Sequence, residues 1–262
     1  MKLILNISYD GSRYYGYQAQ KDKPTIQETL TKAFESCLGF QCNVTGSSRT
    51  DAGVHAINYC ISVEPRDKKS EDWLTVPVGK VHRALRPYLP EDISIIGESI
   101  ADSDFHPRYS AVSKTYMYLM YDSVSSNPFY NKKAWHLKKK IDDRMLDEMI
   151  ASSKFLLGTH DFTSFSSADS SVTDHVRTVN QLNISRNGDF INLYINANGF
   201  LYNMVRIITG TLVECAYGRI KPEDIPHILE DMDRNKAGRT APPDGLYLYR
   251  IKYDVPINWT LI

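Results

Sequence analysis

The sequence is poor in the features that would take it outside ordinary globular folds. No apolar run approaches the roughly 20 residues of a membrane span, so no transmembrane helix is expected. The opening stretch Met1-Lys2-Leu3-Ile4-Leu5-Asn6-Ile7 is too short and too alternating for a signal peptide, and the chain is expected in the cytoplasm. Cysteine is scarce, with four residues at 37, 42, 60 and 215 and no CxxC spacing. That pattern reads as buried free thiols in a reducing compartment, with Cys37 and Cys215 in apolar helical stretches. The seven histidines form no HxxxH or HxH pair, so no zinc site is expected. Neither sign of charge is in excess, with 31 basic and 31 acidic residues. Residues 1–103 carry 12 Lys/Arg and 13 Asp/Glu, and residues 104–262 carry 19 and 18. Composition therefore supplies no argument for nucleic-acid binding. The local clusters Lys68-Lys69, Lys132-Lys133, Lys138 to Lys140, and Arg234/Lys236/Arg239 read as solvated surface. Also missing are GxxxxGK[ST], GxGxxG and GxSxG, which removes P-loop, dinucleotide-binding and serine-hydrolase readings.

What is present suits one large domain or two ordinary ones. A chain of 262 residues, 42% hydrophobic and 24% charged, buries enough surface to need no disulfide or metal staple. Lys2 to Tyr9 alternates as a strand, with Leu3, Leu5 and Ile7 on one face and Ile4 on the other. Thr25 and Glu28 make a capping box for a helix whose stripe is Ile26, Leu30, Ala33, Phe34 and Cys37, with Gly39 just beyond. His55 to Val63 reads as a strand, Val81 to Leu85 as a short helix, and Ile93 to Ile100 as a strand. Residues 101–115 are polar and turn-rich, and the division into an N-terminal half (1–103) and a C-terminal half (104–262) is expected there. Tyr116 to Tyr121 alternates again. Asp142 to Leu157 is a helical pattern closed by Gly158, and Ser164 to Asp174 reads as a loop. Val179 to Arg186 and Phe190 to Ala197 flank Asn187-Gly188, a hairpin signal. Phe200 to Tyr217 and Pro222 to Met232 read as helices, and Gly245 to Val255 as the last strand. Strands and helices interleave in both halves, with at least one antiparallel hairpin, which predicts an α+β or mixed α/β fold and neither an all-helical one nor a barrel.

The stretch richest in chemistry is Gly46-Ser47-Ser48-Arg49-Thr50-Asp51-Ala52-Gly53-Val54-His55-Ala56. It sets Asp51 near Arg49 in a loop before a strand. A neighbouring cation favours the ionised carboxylate, as a nucleophile requires, and loops on rigid elements are where such groups are displayed. The plain alternative is a turn aspartate that caps backbone N–H groups. Tyr116 alone reads as core packing, Leu246 as a core leucine and His55 as structural. Arg206 lies between Val205 and Ile207 in an apolar helix, where a charge needs a partner.

Arg49-Thr50-Asp51-Ala52-Gly53-Val54-His55-Ala56 resembles the signature of the tRNA pseudouridine synthase A family. Other stretches resemble the same family in the same order. They are residues 9–18, Phe105 to Ala111 with Tyr116-Met117-Tyr118, Gly158 to Phe165, Asn203-Met204-Val205-Arg206, and Gly245 to Leu248. The resemblance implies a pseudouridine synthase fold, with two similar halves whose mainly antiparallel sheets join, helices flanking them and a cleft at the centre. It implies isomerisation of uridine to pseudouridine at positions 38, 39 and 40 of the tRNA anticodon stem-loop, by a homodimer, with no cofactor and no metal. By the same resemblance Asp51 is the nucleophile and Tyr116 stacks on the target base and is a candidate general base. Arg206 pairs with the aspartate, Leu246 packs under the base, and Arg49 holds the flipped nucleotide's place or its phosphate.

The chemistry suits those residue types. The N1–C1′ bond breaks, the uracil turns, and C5 joins C1′. The base must first leave its stack, at a cost of a few kcal/mol, which an aromatic face and an aliphatic floor offset. The carboxylate has three routes: attack at C1′, attack at C6, or assisted loss of uracil to a glycal-like species. The residues do not choose among them. Two other functions fit the same fold or the same aspartate. A catalytically silent RNA-binding module would not need Asp51, Tyr116 and Arg206 intact, and a nucleoside hydrolase would release free uracil. The sequence departs from the family pattern at Ser48, where glycine is common, and at Tyr17, where tryptophan is common. Ser113-Lys114-Thr115 replaces an arginine-rich run, and Met117 stands where arginine is frequent.

Overall fold

The computed structural model describes residues 1–67, 73–167 and 172–262. Lys68-Lys69 and residues 168–171 of the expected Ser164 to Asp174 loop lie outside the described residues. In chain order the strands and helices are β1 (Lys2–Tyr9), α1 (Ile26–Leu38), β2 (Cys42–Gly46), β3 (His55–Pro65), α2 (Val81–Leu85), β4 (Ile93–Ala101) and β5 (Ala111–Tyr121). There follow β6 (Trp135–His136), α3 (Asp143–Lys154), β7 (Gly158–Asp161), β8 (Val176–Asn187), β9 (Phe190–Ala197), α4 (Met204–Ala216), α5 (Asp224–Asp231), β10 (Leu246–Tyr253) and β11 (Thr260–Leu261). The fold is α+β, with mostly antiparallel strand pairs.

Two compact units emerge: residues 1–112 with 247–262, and residues 113–246. The division therefore falls nine residues later than the turn-rich 101–115 stretch suggested. The chain's end also returns to the first unit, because Tyr247 and Leu248 pair in parallel with His55 and Ala56. Sequence periodicity marks a strand but carries no information on its partner.

In the first unit β4, β1 and β3 pair antiparallel in that order, and β11 extends the β4 edge. The far side of β3 holds β10 at its start and β2 at its end. Leu3, Leu5 and Ile7 are fully buried, and so is Ile4, which alternation had put on the polar face. Thr25 accepts from the Glu28 N–H at the start of α1, and Gly39 ends it in the left-handed region at φ 75°. Ile26, Leu30, Ala33 and Phe34 are buried along its stripe, which stabilises the fold by about 1.5–3 kcal/mol for each large side chain. Cys37 stays half-exposed, and all four thiols are free.

In the second unit β5, β9, β8 and β7 run antiparallel in that order, with β6 in parallel beside the end of β5. The β8–β9 hairpin closes through Gly188-Asp189 rather than Asn187-Gly188, because Asn187 still pairs with Phe190. Gly188 takes φ +60° at the first loop position, as Gly-X loops do. Helix α4 starts at Met204, four residues later than its apolar run, because Asn203 sits in the left-handed region. Its residues are almost all buried. Among the described residues no helix is long and apolar enough to cross a membrane.

Candidate active site

Asp51 lies in the loop that leaves β2 at Gly46 and enters β3 at His55. That loop is gripped mainly through its backbone. Ser47 donates its N–H to the Cys60 carbonyl at 3.0 Å. The Tyr59 hydroxyl accepts from the Ser48 N–H at 3.2 Å and donates to the Ser48 carbonyl. The Thr50 carbonyl accepts from the Tyr17 N–H at 3.1 Å, and the Thr50 and Tyr9 hydroxyls share a buried 2.8 Å bond. Gly53 donates to the Tyr14 carbonyl at 3.2 Å, and Val54 closes a turn onto the Asp51 carbonyl at 3.2 Å. His55, 2% exposed, has its Nδ1 3.2 Å from the Gly11 N–H and 3.1 Å from Asp10 Oδ1. Its ring stacks on Tyr247 at 4.6 Å, which gives it a structural place.

Residues 10–18 thus form the backing of the loop, and two glycines set the fit. A Cβ on Gly11 would stand 1.9 Å from the Val54 carbonyl oxygen. One on Gly16, at φ +96°, would stand 2.5 Å from the Thr50 carbonyl oxygen. Neither approach leaves room for a side chain. On this frame Asp51 is half-buried and Arg49 is exposed. Tyr17, standing where the family resemblance leads one to expect tryptophan, stacks on Tyr59 with ring centroids 4.7 Å apart.

Tyr116, Arg206 and Leu246 stand in the second unit. Tyr116 is buried on β5 and meets Phe200 edge-on at 5.1 Å. Tyr118, on the same face of the strand, donates its hydroxyl to the Pro242 carbonyl at 2.6 Å. Burial pushes that hydroxyl's pKa well above the usual tyrosine range, while the nearby Arg206 pulls it down. Arg206, in the first turn of α4, donates from Nε to the Ala241 carbonyl at 2.8 Å and from Nη1 to Asn203 Oδ1 at 2.6 Å. The Ala241 N–H returns a bond to the Arg206 carbonyl at 3.1 Å. The segment 241–246 is therefore tied to α4 at Ala241 and to β5 at Pro242, and it ends on Leu246, which is 6% exposed. These ties bring Arg206, the Tyr116 face of β5 and the segment ending at Leu246 into one connected structure. Asp51 and Arg49 belong to the first unit.

Sequence reading passed over Tyr9, Tyr59, Phe200 and the side chain of Asn203. A buried tyrosine hydroxyl needs a partner, so Tyr9 and Tyr59 carried a signal, but not which loop they would hold. Asn203 stands in a family-like stretch, but its role does not show there, because the apolar run reads as helical back to Phe200. Among the described residues, no group of three or more His, Cys, Asp or Glu side chains stands together as a metal site would need.

A family profile described as tRNA pseudouridine synthase matches residues 6–110 and 153–254. A protein of Thermoanaerobacter sp. (strain X514) named tRNA pseudouridine synthase A is 41% identical over 251 residues, spanning 96% of this chain and 99% of that protein. One of the same name from Bacillus subtilis (strain 168) is 40% identical over 256 residues, spanning 97% of this chain and 100% of that protein. A Clostridium tetani (strain Massachusetts / E88) protein named tRNA pseudouridine synthase A 2 is 41% identical over 252 residues, with 95% and 98% spanned.

Proposed function

This chain belongs to the tRNA pseudouridine synthase family, and we propose that it isomerises uridine to pseudouridine at positions 38, 39 and 40 of the tRNA anticodon stem-loop. The observation that carries the site assignment is the loop of Asp51, whose backbone is fixed on both sides while Asp51 itself stays partly open. Such preorganisation suits a nucleophile that must meet one carbon of an extruded nucleotide. Asp51 opens the exchange at the glycosidic bond. The electrons of the N1–C1′ bond pass to the uracil, the ring turns, and C5 bonds to C1′. The C5 proton then leaves to a base, and N1 gains one, so nothing is oxidised or reduced and no atom is lost.

Tyr116 supplies the aromatic face for the base and is the candidate acceptor of the C5 proton. Leu246 supplies the aliphatic floor, Arg206 the cation of the reaction, and Arg49 the contact to the displaced nucleotide or its phosphate. The reaction needs no cofactor in this scheme. It belongs in the cytoplasm, where tRNA is used.

A dimer completes the proposal. With a net charge of zero, one chain has little field to hold a polyanion, but a two-fold axis would align equivalent basic clusters. The exposed Lys138 to Lys140 run is one such cluster, with the Lys139 ammonium 5.3 Å from the Tyr217 ring centroid. Light scattering should give roughly 60 kDa, twice the 29.9 kDa chain. Binding of tRNA should weaken by about 0.7–0.9 log units per contacted phosphate for each tenfold rise in salt. A fully active monomer would remove the dimer, and salt-insensitive binding would remove the basic track.

The deciding experiment for the function is pseudouridine mapping of unmodified tRNA before and after treatment with the purified protein. New pseudouridine at positions 38 to 40 is expected, with no free uracil. Uracil release without pseudouridine would replace the isomerase with a hydrolase. Binding without either product would leave a silent RNA-binding module.

A further inference from the structure

Asparagine is a preferred N-cap because its side-chain oxygen accepts an N–H of the first helical turn while its own backbone stays extended. Asn203 holds the N-cap position of α4 and does neither. Its backbone is left-handed, at φ 61° and ψ 6°, and its side chain caps nothing. Among the described residues it shares a positive φ with three other non-glycine residues, Asp22, Lys132 and Met232. Such a conformation persists where the surroundings over-determine it, and it concentrates at functional sites.

The carboxamide is used elsewhere. Oδ1 accepts from Arg206 Nη1 at 2.6 Å, and Nδ2 donates to Ser167 Oγ at 2.9 Å. Arginine can only donate, so the amide oxygen must face it. Ser167 is itself fixed, because its N–H donates to the Tyr202 carbonyl at 3.1 Å. The guanidinium is thus pinned at Nη1 by Asn203 and at Nε by the Ala241 carbonyl, 2.8 Å away. Two fixed points on a planar group set its plane.

We propose that Asn203 is the positioning residue for Arg206: it gives up the helix cap and accepts a left-handed backbone so that its carboxamide, braced by Ser167, sets the orientation of the guanidinium. The inference rests on the reading of Arg206 as the cation of the isomerisation.

Asn203→Gly tests it, because glycine keeps the left-handed backbone without steric cost and removes only the carboxamide. The single-turnover rate should fall about 10- to 100-fold, the scale of a misplaced catalytic group. The Kd for tRNA should change by less than about threefold, since the loss is one of orientation and not of binding. In an Arg206→Lys background the same substitution should cost less than about threefold, because residues that act as one unit are not additive. Asn203→Asp should also turn over slowly, since the contact survives but the new carboxylate offsets the cation. Ser167→Ala should give a smaller loss in the same direction, and it decides the matter if the glycine variant does not fold. Parental turnover by Asn203→Gly, or losses that multiply fully with Arg206→Lys, would overturn the role of Asn203. Parental turnover by Arg206→Lys alone would instead overturn the underlying reading of Arg206.

Discussion

The loop that carries Asp51 is held largely through its main chain, whereas the Arg206 guanidinium is held through its own side-chain atoms. Ser47, Ser48, Thr50, Gly53 and Val54 are all held by backbone N–H or carbonyl groups. Arg206 is held at Nη1 by an asparagine side chain and spends its own Nε on the Ala241 carbonyl. The difference separates function from stability in one region and merges them in the other. A loop fixed by its backbone keeps its shape when the side chain of the proposed nucleophile changes. A site fixed by the proposed functional side chain itself loses local structure when that side chain goes.

The sharpest test pairs two substitutions. Asp51→Asn should lower pseudouridine formation by more than the ~10²–10⁴-fold typical of a general acid–base group, with the melting temperature unchanged. Arg206→Leu should also lose turnover, but with about 1–3 kcal/mol of stability, because the Ala241 carbonyl and the Asn203 carboxamide lose a donor in a part-buried place. Turnover assays beside denaturant unfolding read both effects. An Asp51→Asn variant that melts early, or an Arg206→Leu variant as stable as the parent, would break the distinction between the two regions.

A smaller effect probes the backbone side alone. Gly11→Ala places a methyl group 1.9 Å from the Val54 carbonyl oxygen, so the backing segment or the loop must move. Overpacking of this kind costs about 1–3 kcal/mol. Activity should fall with stability, although Gly11 has no side chain to offer the reaction. Normal activity in this variant would mean that the loop tolerates displacement.

Local chemistry was the readable part of the sequence. Thr25, Glu28 and Gly39 bounded α1 because capping is decided within a few residues. The β8–β9 hairpin was visible for the same reason, although its loop slid by one residue when Asn187 joined the ladder. What failed to show was long-range. The burial of Ile4 and the return of Tyr247 and Leu248 to β3 are properties of partners far away in sequence. At the site, residue types pointed to chemistry, and the family resemblance assigned the roles. The supports did not show, because a carbonyl 33 residues away at Thr50 gives no mark on Tyr17. Nor does Asn203 reveal that its side chain has left the helix.

The last expectation concerns that same Tyr17, whose hydroxyl carries the smallest effect. Its side chain is sealed against Tyr59, and its buried hydroxyl makes no hydrogen bond of good geometry among the described residues. The adjacent Tyr59 hydroxyl is already committed to Ser48. A buried hydroxyl in that state carries an uncompensated desolvation cost. What Tyr17 gives the loop is its backbone N–H to Thr50 and the ring stacked on Tyr59. Tyr17→Phe keeps both, so it should hold stability level or raise it by up to about 1 kcal/mol, with turnover unchanged. Tyr17→Ala keeps only the backbone bond and should lose about 3–5 kcal/mol to the cavity left beside Tyr59. Urea unfolding and single-turnover assays of the two variants separate ring from hydroxyl. A slow Tyr17→Phe variant would show that a side-chain hydroxyl, and not the main chain, holds the Asp51 loop, and would erase the contrast with Arg206.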